Sequence, residues 1–343
     1  MSRRPGFRAP DPVSLRGLRG VRHAVRGSTT LAKKSSWLRT LGQPAPRVSV
    51  VVCSLNGEKV LPACLKTLMA NCGVPFEVIV VDNGSTDSTA ELVRRDFPGV
   101  RLIHTGRNLG FAGGNNIGLH AARGDLFVLL NDDTETPPDW LANLTAPFER
   151  DPRIAAVGCK LLFPDGKTIQ HAGGALYPNA LSVHKGCGET DRGQWDTPGE
   201  QTYVTGAALA LRRAALEQIG LLDPGFFPAY FEETDLQIRL RDAGWRIWYE
   251  PSACLIHHES QSLGGANSSA YYYRYTRSRI RYLALTGFRH GKWRALGWEL
   301  RWLATHVIPR LRLTSVLRAY LCGLWHWRAW RADRETRRTI PHL

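Results

Sequence analysis

Asp125-Leu126-Phe127-Val128-Leu129-Leu130-Asn131-Asp132-Asp133 is a run of five apolar residues closed by an amide and two carboxylates. An unbroken apolar run of this length reads as a strand buried on both faces of a parallel sheet. Carboxylates just past it stand at the strand's carboxyl end, where open α/β sheets bind their ligands. Oxygen ligands at that edge suit a hard divalent cation chelating a diphosphate. Further along, Phe226-Phe227-Pro228-Ala229-Tyr230-Phe231 precedes a second acidic cluster, Glu232-Glu233-Thr234-Asp235. An apolar wall beside a carboxylate raises its pKa and suits it to act as a base near neutral pH.

Working outward from the first cluster, the pattern predicts strands over 48–53, 76–81, 100–103 and 126–130, separated by helices over 58–70, 87–96 and 115–123. Alternation at this spacing predicts a parallel α/β sheet with right-handed crossovers. Beyond residue 133 the pattern predicts a helix from Trp140 to Phe148, a strand over 204–211 and helices over 213–219 and 233–243, the last closed by Gly244. Short strands follow over 245–249 and 253–256, while 154–204 is Gly-rich and carries no clear period. From Tyr271 the chain reads as amphipathic helix. Trp293, Leu296, Leu300, Leu303 and Val307 form one stripe, Pro309 interrupts it, and Val316, Leu317, Tyr320, Leu321 and Leu324 form a second.

The chain has 343 residues, 43% of them hydrophobic, enough to bury a sizeable core in one or two domains. Its formal net charge of +15 is unevenly spread. Residues 1–46 hold ten Lys/Arg against one acid, and residues 274–343 hold sixteen against three. The stretch between carries 19 basic and 26 acidic residues, so an acidic centre separates two basic ends that suit an anionic surface, either a membrane or a nucleic acid. The seven cysteines form no Cys-x-x-Cys pair and no Cys/His zinc spacing, which predicts free thiols in a reducing cytoplasm. Arg3 and Arg4 have no apolar stretch behind them, which argues against a secretory signal. No uncharged apolar run reaches the roughly eighteen residues of a spanning helix. The expected organisation is a basic flexible tail (1–46), an α/β domain (47–270) and a basic helical extension (271–343).

Asp82-Asn83-Gly84-Ser85-Thr86-Asp87 follows the second predicted strand at the same carboxyl edge. Asp82 reads as an acceptor for the imide N–H of uracil or thymine. Asp87 and Ser88 read as caps of the next helix, with Glu91 completing a capping box. Arg107-Asn108-Leu109-Gly110-Phe111-Ala112-Gly113-Gly114-Asn115-Asn116 is a glycine-rich turn entering a helix, and its amides with Arg107 suit a diphosphate. Each acidic cluster also has a plainer reading. Asn131-Asp132-Asp133 would serve as a solvated loop, and Glu232, Glu233 and Asp235 as the acidic first turn of a helix. His257-His258, ending the last predicted strand, is either structural or completes an oxygen-rich metal site with a nitrogen.

Val48-Ser49-Val50-Val51-Val52-Cys53-Ser54-Leu55-Asn56, the Asp82–Asp87 segment, Arg107-Asn108-Leu109-Gly110-Phe111 with Gly114-Asn115-Asn116, and Leu130-Asn131-Asp132-Asp133 together resemble the family 2 glycosyltransferases of the GT-A fold. Gly206-Ala207-Ala208, Leu222-Asp223, Phe231-Glu232-Glu233-Thr234-Asp235-Leu236 and His257-His258 resemble its rhamnosyltransferase-type branch. The resemblance implies an α/β GT-A fold, a Rossmann-like, mostly parallel central sheet flanked by helices, with a C-terminal amphipathic helical extension. It implies that Ser54, Asn56, Asp82, Arg107, Asn116 and Asp132 bind the nucleotide, and that Asp133 and His257 hold Mg²⁺ or Mn²⁺. Glu233 matches the base, Asp235 is the second candidate, and Gly206 and Glu232 fall on the acceptor side.

The same resemblance implies an inverting transfer of a sugar, rhamnose among the candidates, from a dTDP-, UDP- or GDP-linked donor. The acceptor would be a saccharide or lipid-linked saccharide of cell-surface polysaccharide synthesis. The expected location is the cytoplasm, peripheral on the inner face of the membrane. There the basic C-terminal helices would either meet an anionic membrane surface or pack as an annex with a solvated basic face. Nucleic acid is not an expected partner, because no recognised module is visible. Two departures stand out: Asn131 replaces the first acid of the metal motif, and Glu233 stands where the family usually has Asp. Both favour a competing class, a catalytically silent relative that binds nucleotide sugar or acts as a scaffold.

Overall fold

The computed structural model describes residues 47–259 and 268–336 together with Leu343. The tail expected over 1–46 lies outside the described residues. Strand β1 (Val48–Ser54) has six of its seven residues buried, as a β-branched run must when it has neighbours on both sides. Val48, Val50 and Val52 face a layer containing Leu61, Leu65 and Leu68, and Val51 faces the opposite layer with Leu119. This alternation sets two cores on the two faces of one sheet.

The first half of the chain runs through α1 (Leu61–Met69), β2 (Phe76–Asp82), α2 (Thr89–Asp96), β3 (Arg101–His104), α3 (Gly110–Ala121) and β4 (Leu126–Asn131). Strands β2 and β4 flank β1 in parallel, and β3 extends the sheet beyond β2. The second half contributes β5 (Thr134–Glu135), α4 (Trp140–Thr145), α5 (Pro147–Arg150), β6 (Ile154–Leu162), β7 (Ile169–His171), β8 (Gly174–Leu176), β9 (Ser182–His184) and β10 (Gly199–Glu200). It continues with β11 (Ala208–Arg212), α6 (Arg213–Ile219), α7 (Glu232–Asp242) and β12 (Arg246–His257). The main sheet runs β10-β12-β6-β11-β4-β1-β2-β3, with β5 on β12 and β7 on β6. Strand β11 is antiparallel to both β4 and β6, and β6 is parallel to β12. The GT-A expectation of a mostly parallel sheet flanked by helices describes this arrangement.

Three local expectations are corrected. The glycine-rich segment after Arg107 is not a turn before a helix: Gly113 and Gly114 lie inside α3, which starts at Gly110. A Cβ on Gly114 would stand 2.3 Å from Cys53 Sγ, and one on Gly118 would stand 2.3 Å from Val51 Cγ1. The glycines let α3 lie directly on β1, and that packing outweighs their poor helix propensity. Strand β6 falls in the stretch without a clear period, where Ala155, Ala156 and Gly158 dilute the strand signal although eight of its nine residues are buried. The two short strands expected over 245–256 are one strand, β12, whose register shifts between Glu250 and Cys254.

The C-terminal helices are α8 (Ser269–Thr286), α9 (Lys292–Trp302) and α10 (Leu313–Thr336), with a π-helical turn, Leu303–Val307, following α9. Helix α8 packs Tyr282 and Leu285 against Phe226, Phe231 and Ile238 of the α/β domain. Its buried Arg279 bonds both carboxylate oxygens of Glu299 on α9 and the carbonyl of Asn179. The extension is therefore tied to the α/β domain through α8. The stripe expected on α9 does not face inward: Trp293, Leu296 and Leu300 are exposed, and Ala295 and Trp302 are the buried residues.

Candidate active site

The register brings the predicted edge residues into one row, with Ser54 beside Asp82 and Cys53 beside Asn131. Two loops leaving this row are bonded to each other. Asn56, in a left-handed conformation at φ 57°, accepts from the Thr86 amide, and its own amide donates to Ser85 Oγ. Asp87 accepts from the Thr89 and Glu58 amides, so it, rather than Ser88, caps α2. A third loop joins through Asn83, which accepts from the Leu109 amide and donates to the Gly110 carbonyl.

On this rim Asp82 is buried and accepts from the Ser85 amide at 2.9 Å and from His104 at 2.8 Å. Burial raises its pKa, but the bonds from Ser85 and His104 outweigh that and hold it below the ordinary carboxylate range. Its oxygens keep lone pairs for a further donor. Ser54 Oγ donates to Asp132 at 2.6 Å. Burial pushes the Asp132 carboxyl up to about 6, the Ser54 bond opposes this, and the neighbouring Asp133 adds to it. Arg107 is exposed at the rim. Asn116 is committed elsewhere: its amide donates to the Leu222 carbonyl at 2.8 Å and accepts from the Leu222 amide at 3.2 Å. It positions the loop before the second acidic cluster, which corrects its expected place on the nucleotide.

Asp133 and His257 meet. His257 Nε2 lies 3.1 Å from Asp133 Oδ1, and both side chains are buried. The Gln170 amide oxygen lies 2.6 Å from His257 Nδ1. An amide oxygen only accepts, so Nδ1 carries the hydrogen and Nε2 is the ring nitrogen that faces Asp133. Asn131 Nδ2, 3.3 Å from Nε2, is a donor consistent with that tautomer. A ring lone pair and a carboxylate oxygen at this separation form a donor set that fits a divalent cation. Among the described residues no group of three or more His, Cys, Asp or Glu side chains converges to hold a metal. Such an ion would therefore complete its shell with donor phosphates and water. Next in sequence and just past the end of β12, His258 pairs instead with Glu135 at 2.7 Å.

The second cluster opens α7. Tyr230 and Phe231 take left-handed backbone conformations at φ 80° and 75°, an uncommon and strained state for bulky residues. This turn presents the first residues of α7 to Gly206, where an added Cβ would lie 3.1 Å from Glu233 Cγ. The adjoining Ala207 carbonyl accepts from the Asn131 amide at 2.9 Å, so Gly206-Ala207 spans the two acidic clusters. Glu233 is half-buried and Glu232 is buried. Burial raises both carboxyls above the ordinary range, and the charge of Glu233 adds to the rise at Glu232. Glu232 Oε2 has no hydrogen-bond partner among the described residues, which favours the protonated form there and leaves Glu233 to ionise first. Asp235, the second candidate for the base, is 1% exposed and pairs with Arg239 at 3.0 Å. Arg239 also bonds the carbonyls of Ile219 and Leu221. Asp235 is thus committed to Arg239 and closed to solvent, which favours Glu233 of the two candidates for the base.

With that geometry in place, comparison with known proteins assigns the lineage. The model of the family described as Glycosyl transferase family 2 matches residues 49–220. The chain is 32% identical over 275 residues to the N-acetylglucosaminyl-diphospho-decaprenol L-rhamnosyltransferase of Mycobacterium tuberculosis, covering 70% of this chain and 85% of that protein. This chain belongs to glycosyl transferase family 2. Another relative is the O-antigen biosynthesis protein RfbC of Myxococcus xanthus, 31% identical over 264 residues and 74% of this chain. The chain spans 19% of RfbC, and 25% of another of its curated relatives. Among solved structures, the mannosyltransferase PcManGT from Pyrobaculum calidifontis, in complex with GDP-Man and Mn²⁺, superposes with a TM-score of 0.52 at 20% identity, over 88% of this chain and 90% of that one. That likeness establishes the GT-A fold.

Several residues around this candidate site carry no local sequence signal. Gln170 and His257 are 87 positions apart, and His104 and Asp82 are 22 apart. Tyr230, Tyr271 and Tyr275 pack edge-to-face or stacked within 6.0 Å, beside Phe231. Burial, with smaller contributions that include the Glu233 charge, raises the Tyr230 hydroxyl to about 12 and raises Tyr275 as well. This aromatic cluster borders Glu233; two of its three tyrosines come from α8, and all three lie beyond the matched residues. Its signal in the sequence was the Tyr271-Tyr272-Tyr273 run, read there only as the start of a helix.

Proposed function

We propose that this chain transfers a sugar from a nucleoside-diphosphate donor to a saccharide hydroxyl, inverting the anomeric carbon. One observation carries the reading: Gly206-Ala207 touches Glu233 on one side and Asn131 on the other, so a base and the Asp133–His257 pair adjoin. Ionised Asp82 is suited to accept the imide N–H of the base, with Asn56 and Ser54 shaping the rim around it. Asp133 and His257 would hold Mg²⁺ or Mn²⁺, and the Mn²⁺ in the PcManGT structure supports this choice. A bound cation of this kind supplies Lewis-acid stabilisation to the leaving diphosphate.

Glu233 takes the proton from the acceptor hydroxyl as the new bond forms to the anomeric carbon, opposite the departing bond to phosphate. General-base assistance of this kind contributes on the order of 10²–10⁴ in rate. The aromatic faces of Tyr230, Tyr271 and Tyr275 offer an apolar wall against which an acceptor sugar can lie. The name of the mycobacterial relative supports L-rhamnose as the sugar and a lipid-diphosphate-linked saccharide as the acceptor. The name of RfbC supports a role in surface polysaccharide synthesis.

The test is a panel of dTDP-, UDP- and GDP-sugars incubated with Mn²⁺ and the full chain, followed by nucleoside diphosphate release. Metal-dependent release that Glu233→Gln abolishes, while donor binding persists, is the expected result. Wild-type turnover by Glu233→Gln would sink the assignment. Tight donor binding with no release by the unaltered chain would favour the silent relative.

A further inference from the structure

We propose that the outward side of α9 and α10 docks this protein on an anionic lipid bilayer, with the helices lying in the headgroup interface. Helix α10 is apolar on two sides. Val316, Ala319 and Trp330 are buried, and Gly323 fits against Ile280 of α8. On the other side Leu313, Leu317, Leu321 and Leu324 recur at three- and four-residue spacing in the open, with Trp325 beside them at 85% exposure. Leu311, in the turn before α10, is also 85% exposed. Among the described residues, ten of the thirteen exposed large hydrophobics fall between Trp293 and Trp325, a concentration that solvation alone does not account for.

Charge selects the occupant. Residues 290–334 contain nine Lys/Arg and two acids, Glu299 and Asp333. Both acids turn to α8: Glu299 bonds buried Arg279, and Asp333 bonds Arg281 at 2.9 Å. The outward side therefore presents leucine and tryptophan among cations, with Arg294, Arg310, Arg318 and Arg328 exposed. A second copy seated on this face would bring the same cations together. A bilayer of acidic lipids meets both components, taking the apolar side chains at acyl depth and the arginines at its phosphates. No helix among the described residues is long and apolar enough to cross a membrane, which agrees with a surface-lying geometry.

The test needs no sugar substrate, so its outcome is separate from that of the proposed transfer reaction. The full chain is floated with vesicles of phosphatidylcholine alone and of phosphatidylcholine mixed with phosphatidylglycerol. Two triple variants are compared: Leu321→Ser, Leu324→Ser, Trp325→Ser, and Arg310→Gln, Arg318→Gln, Arg328→Gln. All six side chains are exposed, and an unchanged thermal transition checks that each variant folds. The unaltered protein is expected to float with the acidic vesicles only, less so at high salt. Each variant is expected to partition on the order of tenfold more weakly. Failure of the unaltered protein to float, or flotation of both folded variants like the parent, overturns the proposal. So does a dimer in sedimentation that the leucine variant dissociates while neither form binds vesicles.

Discussion

Gln170 holds His257 by its Nδ1 at 2.6 Å, and this fixes the ring with Nε2 3.1 Å from Asp133 Oδ1. The amide lies on β7 and the imidazole at the end of β12, so two strands converge to aim one nitrogen. Groups that orient a metal-binding histidine through its other nitrogen typically contribute 10- to 100-fold in affinity. Gln170→Leu should weaken Mn²⁺ binding by about that factor. Calorimetric titration of Mn²⁺ into the donor-saturated protein measures it, and an unchanged affinity would detach His257 from the ion.

The two candidate bases should fail in different ways. Glu233→Gln should lower kcat by about 10²–10⁴ with little change in melting temperature. Asp235→Ala removes a buried carboxylate from its pair with part-buried Arg239 and should cost about 1–3 kcal/mol of stability. Thermal unfolding beside initial-rate measurements separates the two, and a stable, inactive Asp235→Ala protein would reverse the roles.

The pH profile follows from burial. Glu233 must be ionised to accept a proton, and its carboxyl is raised, so the ascending limb of kcat should lie above the ordinary glutamate range. Stability should run the other way. Glu232 and Glu233 hold protons more tightly folded than unfolded, so their contribution is full below the ordinary glutamate pKa and is lost as pH rises through the raised values. Glu232→Gln should flatten that decline in denaturant titrations across pH. An unchanged slope would mean Glu232 carries no extra proton.

Helix α3 tolerates no side chain where it lies on β1. Gly118→Ala places a methyl 2.3 Å from Val51 Cγ1 and should cost about 1–3 kcal/mol, read as a lower urea midpoint. A change below 0.5 kcal/mol in that midpoint, within ordinary surface-substitution scatter, would mean the helix is free to lift.

Asn116 should act on stability more than on donor affinity. Asn116→Ala removes both of its bonds to Leu222 and should cost about 1–3 kcal/mol while leaving the donor Kd within a few-fold. A large loss of donor affinity at unchanged stability would return Asn116 to the nucleotide.

Much of the first half was legible because its strands are apolar runs ending in polar edge residues, and parallel strands align those ends in one row. The second half was harder. Ala155, Ala156 and Gly158 hide β6, whose burial comes from neighbours on β11 and β12 rather than from its own composition. Asp235 and Glu233 are two acids in one helical turn, ranked in the sequence by the resemblance alone. In the structure the burial of Asp235 and its pairing with Arg239, itself anchored to the Ile219 and Leu221 carbonyls, separate them.

The sequence by itself determined the family, the alternating α/β order and the residues that end the strands, because these depend on local period and on motifs read in order. The tertiary structure decided which groups meet. It turned His257 rather than His258 to Asp133, placed Gly206-Ala207 between the two acidic clusters, and split the apolar stripes, burying Val307 and Val316 while turning Trp293, Leu296, Leu300, Leu317, Leu321 and Leu324 outward. Contacts between residues far apart in the chain depend on how the strands and helices stack, and a local pattern of residue types carries no record of that stacking.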